Sequence, residues 1–369
     1  MDKKNVRYNN IDLVKIISMF LIMLSHIIPY NYINRSSEYI DITIASADSL
    51  NIMLQLIRYL GQVGNIIFLI CSIWFLCEKK KINWKKIINI ILNCSTVSIV
   101  CLLVLLALGY NIPTKIIVKQ FFPIIFANNW FIAPYILLIL IFPFLNMIIE
   151  KITYKTHRNI SIFFALFTTI EFIFENKYIY NYFITFISLY FIVSFLKKYK
   201  IVQISNVKRN VIILFLSSFT LFVFVIILNL LGLNISMLSN KMQYFTNIKN
   251  PIVFLVSMSI FNIFRSIKIK STIVQKISST TLLLYIIHDN YLIREYVRSD
   301  WFKYIYNTVG YNNIIFICFI TTTSVFIITL LISLIYNDTI QKLINYCVNI
   351  IEKKWREVKE KNSDTKNYI

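Results

Sequence analysis

Two ionisable residues, Lys15 and His26, are separated by ten residues within one apolar segment, RYNNIDLVKIISMFLIMLSHII. A helix rises about 1.5 Å per residue, so His26 lies about 21 Å along the axis from Asp12, beyond the middle of a membrane. A histidine at that depth is costly and is usually retained for a function. The pattern favours a general base at His26 and an anion contact at Lys15, which is spaced to pair with Asp12. The alternative is a lysine that extends to the interface and a histidine bonded to a neighbouring carbonyl.

A second group of polar residues interrupts a late apolar segment, TLLLYIIHDNYLIREYV, which holds Tyr285, His288, Asp289 and Arg294. A buried carboxylate beside an imidazole fixes its tautomer and raises its basicity. One shared polar chamber explains two intramembrane histidines better than two unrelated causes do. We therefore expect the imidazoles of His26 and His288 within about 15 Å of each other, with Tyr285 or Trp130 near the outer mouth. The alternative is a polar network that only holds helices together.

The composition predicts an all-α, polytopic membrane helix bundle. Apolar residues make up 57% of the chain and charged residues 15%, which is more apolar surface than a soluble domain can bury. The amphipathic stretch Leu50–Leu60 is expected to lie at the membrane surface. Runs of about 15–25 apolar residues give about ten transmembrane helices: Ile11–Tyr30, Val63–Cys77, Ile87–Leu108, Trp130–Ile149, Ile160–Phe174, Ile179–Leu196, Val211–Leu231, Ile252–Phe264, Thr280–Leu292 and Ile314–Tyr336.

The formal net charge of +21 suggests nucleic-acid binding, but the positions of the basic residues argue against it. Most of them lie in alternate loops, as the positive-inside rule requires, so both termini are predicted to be cytoplasmic. The transmembrane domain covers residues 1–336, and residues 337–369 form a cytoplasmic amphipathic tail with Leu343, Ile344, Cys347, Ile350, Ile351 and Trp355 on one face. The lysines of the loop EKKKINWKK either set this topology or bind the phosphates of a cytoplasmic donor. His157 lies in a basic loop and is expected to be solvated.

The six cysteines lie in or beside apolar segments or in the tail, with no CxxC spacing. They are predicted to be reduced packing residues, and no metal site is expected.

Several segments, in matching order over about residues 7–300, resemble the acyltransferase-3 family of integral membrane acyltransferases. Asp12, Lys15 and His26 fit the opening pattern of the family, which more often has arginine where Lys15 stands. GQVGNIIFLICSIWFL resembles the second-span stretch of the family, with Ser72 kept and Ile73 where glycine is usual. Two later stretches also match: NNWFIAPYILLILIFPFLN, through Trp130, Phe131, Tyr135, Pro143 and Asn146, and YIIHDNYLIR, through Tyr285 and His288.

The resemblance implies transfer of an acyl group, usually acetyl, from cytoplasmic acyl-CoA to a hydroxyl of an extracytoplasmic or lipid-linked glycan. It implies a location in the cell membrane among its lipids. The expected roles are catalysis for His26, His288 and Asp289; contact with acetyl-CoA for Asp12, Lys15, Lys81 and Lys85; and contact with the glycan for Trp130, Tyr135 and Tyr285. Relay through an acyl-enzyme on Ser72, Tyr135 or a histidine stays open.

Two other classes of protein also place charged residues inside many spans. A flippase or transporter for lipid-linked oligosaccharides often has matching halves with Gly- or Pro-broken helices. Only five glycines and six prolines occur here, and no matching halves are visible. A glycan polymerase is expected to have one large outer loop, whereas the longest here, about 31–62, is modest.

The topology can be tested by labelling single cysteines in a cysteine-free background. Cysteines at Ser37, Lys177 and Lys241 should react with impermeant reagents in intact cells, because these loops are predicted to be external. Cysteines at Lys80 and Lys200 should not react. The reverse result at any site would require the topology to be redrawn from there onward.

Overall fold

The computed structural model describes residues 9–28, 42–126, 129–174, 182–201, 206–298, 304, 308, 313–350 and 352. Within these ranges the regular secondary structure is helical throughout. The labelling positions Ser37 and Lys177 lie outside the described residues, as do Tyr30, Ile351 and Trp355.

The chain forms twelve labelled helices among the described residues: α1 Asn9–Ile27, α2 Ser49–Leu76, α3 Trp84–Ala107, α4 Thr114–Phe121, α5 Ile132–Lys151, α6 Tyr154–Ile173, α7 Tyr182–Lys198, α8 Val207–Asn234, α9 Pro251–Ser266, α10 Thr272–His288, α11 Ile314–Asp338 and α12 340–350. A 3₁₀ turn at Ser236–Leu238 precedes α9, and a π-helical segment at Ile293–Arg298 follows α10.

The helices agree with a polytopic membrane bundle. Six of them, α1, α2, α3, α5, α8 and α11, are long and apolar enough to cross a membrane. The other four predicted spans overlap α6, α7, α9 and α10, which have 20, 17, 16 and 17 residues; α10 begins and ends earlier than the predicted span Thr280–Leu292. The short α4 lies between α3 and α5, outside the predicted spans.

The prediction that Leu50–Leu60 lies at the membrane surface is wrong. α2 runs without interruption for 28 residues and includes this stretch. Gln55, a polar residue that makes this stretch look amphipathic, is buried. It exchanges amide hydrogen bonds of 2.8 and 3.3 Å with Asn229 of α8. Polar side chains inside a membrane bundle are satisfied by neighbouring helices in this way, so α2 needs no exposed polar face.

The prediction that His157 is solvated is also wrong. α6 begins at Tyr154, which places His157 in its first turn and fully buries the imidazole. Its Nε2 lies 3.2 Å from the carbonyl oxygen of Phe191 and 3.3 Å from Ser194 Oγ, both on α7. His157 is therefore a packing residue between α6 and α7.

Hydrogen bonds between elements bring the predicted cytoplasmic ends together. Asn10 at the start of α1 donates to the carbonyl of Arg265 at the end of α9, at 2.8 Å. Asn146 near the end of α5 donates to the carbonyls of Leu76 and Lys79 at 2.9 and 2.8 Å. These contacts define one end of the bundle, which we call the basic end because its loops carry the clustered lysines.

The tail helix α12 packs along the first three turns of α3 through three side-chain hydrogen bonds of 2.7–2.9 Å: Lys85 with Asn349, Asn89 with Asn345 and Asn93 with Gln341. Ile344 and Val348 are buried on this side, whereas Leu343 and Ile350 of the predicted apolar face are exposed. Among the described residues the packed face therefore shares only Ile344 with the predicted one, because α3 also bonds the polar side chains beside Ile344 and Val348.

Helix α1 occupies the centre of the bundle, and its closest neighbour is α2. Gly64 allows this approach: a Cβ atom added there would lie 2.5 Å from the backbone oxygen of Ser18 and 2.9 Å from the side chain of Ile22. Small residues that let backbones approach closely are typical of helix pairs in membranes. The close contact fixes the helix that carries both Lys15 and His26.

Replacing this glycine should loosen the centre of the bundle. Gly64→Val should lower the stability by about 1–3 kcal/mol, because the backbone of α1 must move to make room. Thermal unfolding in detergent, followed by tryptophan fluorescence, measures the effect. Leu216→Val on the exposed face of α8 is the matched control. Equal unfolding temperatures for the two variants would contradict the close contact.

Candidate active site

The two intramembrane histidines contact each other. His26 lies in the last turn of α1, and His288 is the last residue of α10. His26 Nδ1 is 3.2 Å from His288 Nε2, and the ring centroids are 5.3 Å apart. The structure thus brings together two residues separated by 262 positions, well inside the expected distance.

The surrounding acceptors assign the tautomers of this pair. His288 Nδ1 is 2.9 Å from the carbonyl oxygen of Leu284, which can only accept, so Nδ1 of His288 carries the proton. In the neutral ring Nε2 is then an acceptor, and it receives the proton of His26 Nδ1. Asp289 Oδ1, 3.5 Å from the same nitrogen, favours the same assignment. His26 Nε2 is left with a lone pair, as a general base requires.

Asp289 is a buried carboxylate at the centre of the group. Its side chain is 3% exposed, whereas that of His26 is 17% exposed. Oδ2 accepts a hydrogen bond of 3.1 Å from Tyr285, and Arg298 Nη2 lies 3.5 Å from Oδ1. A buried charge needs such partners. His26 is the more accessible of the two side chains and can contact a substrate. Asp289 lies next to its Nδ1, and Tyr285 in turn donates a hydrogen bond to Asp289.

Amide side chains fix the backbone on which His288 and Asp289 are mounted. Asn129 Nδ2 donates to the carbonyl of Asp289 at 2.9 Å. Asn290 donates to Ser98 of α3 at 3.1 Å and accepts from the backbone N–H of Leu292 at 3.0 Å. These bonds satisfy the polar groups where α10 ends and position the pair relative to α3 and α5.

Two arginines at this site were not identified from the sequence. Arg58 of α2 donates to the carbonyls of Ser25, at 2.7 Å, and Ile28. Arg298 donates to the carbonyl of His288. Both cations meet unsatisfied carbonyls at helix C-termini, where the helix dipole favours positive charge. Arg58 could have been recognised as the one charged residue in α2, and Arg298 by its spacing from Arg294.

A second polar cluster lies toward the basic end. Lys86 Nζ donates to the hydroxyl of Tyr135 at 3.3 Å, and this hydroxyl is 3.3 Å from Ser72 Oγ. Lys15 Nζ lies 5.6 Å from the ring centroid of Phe75, one turn beyond Ser72 on α2. We call Lys15, Ser72, Lys86 and Tyr135 the basic-end cluster.

The remaining predicted donor residues are distributed around this cluster. Asp12 Oδ1 accepts a hydrogen bond of 2.6 Å from Ser278 and ties α1 to α10. Lys81 is exposed in the loop before α3, and Lys85 bonds Asn349 of the tail helix. Lys86 contacts Tyr135, although the neighbouring Lys81 and Lys85 were the residues selected from the sequence.

One aromatic ring connects the two clusters. Phe131 has its ring centroid 5.9 Å from that of Tyr135 and 5.7 Å from that of Tyr285. Trp130 packs against Phe131 at 5.7 Å and against Tyr182 at 4.6 Å. Of the three predicted glycan contacts, Tyr285 thus lies in the histidine group, Trp130 lies beside Phe131, and Tyr135 lies in the basic-end cluster.

The cysteines and the metal-binding potential were also predicted from the sequence. All six cysteines are free thiols. In the part of the chain that the structure describes, no group of three or more His, Cys, Asp or Glu residues is arranged to hold a metal ion.

The chain was compared with models of known protein families. Residues 8–334 match the acyltransferase-3 family, described as an acyltransferase domain. No curated protein and no solved structure shows significant similarity to the chain. The matched range covers most of the sequence and contains both the basic-end cluster and the histidine group. The chain therefore belongs to the acyltransferase-3 family and is a membrane acyltransferase.

Proposed function

We propose that the protein transfers an acetyl group from cytoplasmic acetyl-CoA to a hydroxyl of an extracytoplasmic or lipid-linked glycan in the cell membrane. The observation that carries this proposal is the hydrogen-bonded series from Leu284 through His288 to His26, which leaves a basic nitrogen on the most accessible of the three catalytic candidates. Family membership favours acyl transfer over the flippase and polymerase alternatives.

The reaction needs one proton to move twice. His26 Nε2 removes the proton of the acceptor hydroxyl as its oxygen attacks the thioester carbonyl carbon. The tetrahedral intermediate then collapses, the carbon–sulfur bond breaks, and the imidazolium returns the proton to the departing sulfur. Asp289, 3.5 Å from His26 Nδ1, stabilises the imidazolium between these two steps.

The donor is a polyanion that cannot cross lipid, so its phosphates must stay at the basic end. Lys15 and Lys86 supply positive charge there, and Lys81 lies in the adjoining loop. The pantetheine arm is uncharged and can extend past Tyr135 and Phe131 toward His26. This arrangement separates a charged donor site from the reacting centre along a single helix, α1.

A covalent route is a second candidate mechanism. Lys86 donates to the hydroxyl of Tyr135, which lies 3.3 Å from Ser72 Oγ, so a deprotonated Tyr135 would accept the proton of Ser72 as Oγ attacks. In that route Ser72 Oγ would accept the acetyl group from the thioester before the glycan hydroxyl displaces it. Acetate bound to Ser72 after incubation without acceptor, detected by peptide mass spectrometry, would favour this route over direct transfer.

Removing the proposed base should abolish transfer and leave the fold intact. His26→Ala should lower the rate of acetyl incorporation into glycan by about two to four orders of magnitude, the usual contribution of a general base. Radiolabelled acetyl-CoA and purified protein in lipid nanodiscs provide the measurement. His157→Ala is the control. It removes a buried imidazole that contacts α7 and neither cluster, so this variant should still transfer acetyl groups at a measurable rate. Glycan acetylation at the wild-type level in His26→Ala would refute this role.

Donor binding should depend on Lys15. Lys15→Ala should weaken acetyl-CoA binding in calorimetry, because a cation near the phosphates is lost, and added salt should weaken binding in the wild type. Lys15→Arg should be tolerated, since it keeps the charge. Lys241→Ala, exposed before α9, is the control and should bind as the wild type does. Unchanged affinity in Lys15→Ala would show that this residue does not contact the donor.

A further inference from the structure

The π-helical segment Ile293–Arg298 places two arginines, Arg294 and Arg298, beside the imidazole pair. Single π-helical turns occur frequently at functional sites. We propose that the glycan acceptor carries an anionic group, a phosphate or a carboxylate, close to the acylated hydroxyl, and that Arg294 binds this group. The inference rests on the proposed acyl transfer and names the chemical class of its acceptor.

Toward the described residues, the side chain of Arg294 makes one hydrogen bond. Its Nε donates to Glu295 Oε1 at 3.2 Å. Its Nη1 is 3.8 Å from Asp289 Oδ1, beyond hydrogen-bond distance. Among the residues that the structure describes, its two terminal nitrogens therefore have no hydrogen-bond acceptor. The side chain is 33% exposed, so an incoming ligand can reach it.

The position of this cation relates it directly to the base. Asp289 Oδ1 lies 3.5 Å from His26 Nδ1 and 3.8 Å from Arg294 Nη1, so imidazole and guanidinium share one carboxylate oxygen as a neighbour. An anion bound by Arg294 would thus lie on the Nδ1 side of His26, in the same polar group as the ring whose Nε2 deprotonates the hydroxyl.

The charges around Asp289 favour an anionic ligand. One buried carboxylate lies within 4 Å of two guanidinium groups, those of Arg294 and Arg298. Glu295 contributes a second negative charge, but its side chain is 48% exposed and screened by solvent. Arg58 adds a third guanidinium group near the imidazole pair, so an oxyanion of the ligand would balance the remaining positive charge in a region where charge is poorly solvated.

A purely structural role explains Arg298 better than it explains Arg294. Arg298 bonds the carbonyl of His288 and lies within 3.5 Å of Asp289, so it already holds the pair in place. Arg294 adds no hydrogen bond to that network. Its guanidinium instead lies 5.5 Å from the ring centroid of Tyr291. The N–H groups at the edge of a guanidinium can bind a phosphate or a carboxylate through two parallel hydrogen bonds.

Two kinds of acceptor present this chemistry near a sugar hydroxyl: a glycan joined to lipid through diphosphate, and a glycan that contains an acidic sugar. Matched pairs of probes separate them. One pair is N-acetylglucosamine linked by diphosphate to a short prenol and the neutral octyl glycoside of the same sugar. The other is a disaccharide ending in glucuronic acid and its glucose counterpart.

The experiment measures kcat/KM for acetyl transfer to each probe by the full chain in nanodiscs. For at least one pair, kcat/KM should be higher for the anionic probe than for its neutral partner. Arg294→Gln should lower the ratio of these two values by about 10- to 100-fold, the range for loss of a hydrogen bond to a charged group. Lys115→Gln, which removes an exposed cation from α4, should leave the ratio unchanged. If the wild type prefers the anionic probe of the diphosphate pair, the acceptor is a lipid-linked glycan. If it prefers the anionic probe of the glucuronate pair, the acceptor contains an acidic sugar.

Equal rates within both pairs would overturn the inference and leave acyl transfer standing. An equal loss for anionic and neutral probes in Arg294→Gln would also overturn it, because a structural or oxyanion role acts on every acceptor. If no probe is acetylated by the wild type, the proposed function fails. Binding of an anion by Arg294 is then tested separately, without acyl transfer. Inorganic diphosphate or glucuronate should then raise the unfolding temperature of the wild type but not of Arg294→Gln, and no shift with either would refute anion binding.

Discussion

The hydrogen bond between His26 and His288 is the contact on which the rest of the site depends. It joins the end of α1 to the end of α10, and its direction is fixed by the Leu284 carbonyl behind it. In a membrane each polar group must be satisfied within the protein, so a pair of imidazoles needs a supporting shell of carboxylate, amides and carbonyls. Asp289, Asn129 and Arg58 supply that shell from three different elements.

The same physical constraint explains why the two clusters are separated. Acetyl-CoA carries its charge at one end and its reactive thioester at the other, and only the charged end must remain at the aqueous interface. In the proposed reaction, Lys15 and His26 on α1 provide a cation near the basic end and a base beyond the middle of the span. The ring of Phe131 lies between the clusters, in contact with Tyr135 on one side and Tyr285 on the other.

The sequence predicts elements with long apolar runs and pairs with fixed helical spacing. Each of the ten predicted spans overlaps a helix, and the residue types of Lys15 and His26 indicate a candidate site before any fold is known. Contacts across distant helices are less accessible. Arg58 was overlooked because the start of α2 looks amphipathic, although its amides are buried against α8. The sequence does not distinguish Lys86 from the other lysines of the loop EKKKINWKK, since only the three-dimensional contact with Tyr135 does so.

In the proposed reaction the acetyl group reaches His26 while the nucleotide stays at the basic end. The most direct test is a structure with a non-hydrolysable acetyl-CoA analogue, in which the distance from the acyl carbonyl carbon to His26 Nε2 is measured. We expect this distance to be about 6–7 Å, because one hydroxyl group must fit between the two atoms, hydrogen-bonded to the base and in contact with the carbonyl carbon. An acyl group that stops at the Lys86–Tyr135–Ser72 series, on the other side of Phe131, would contradict direct transfer at His26.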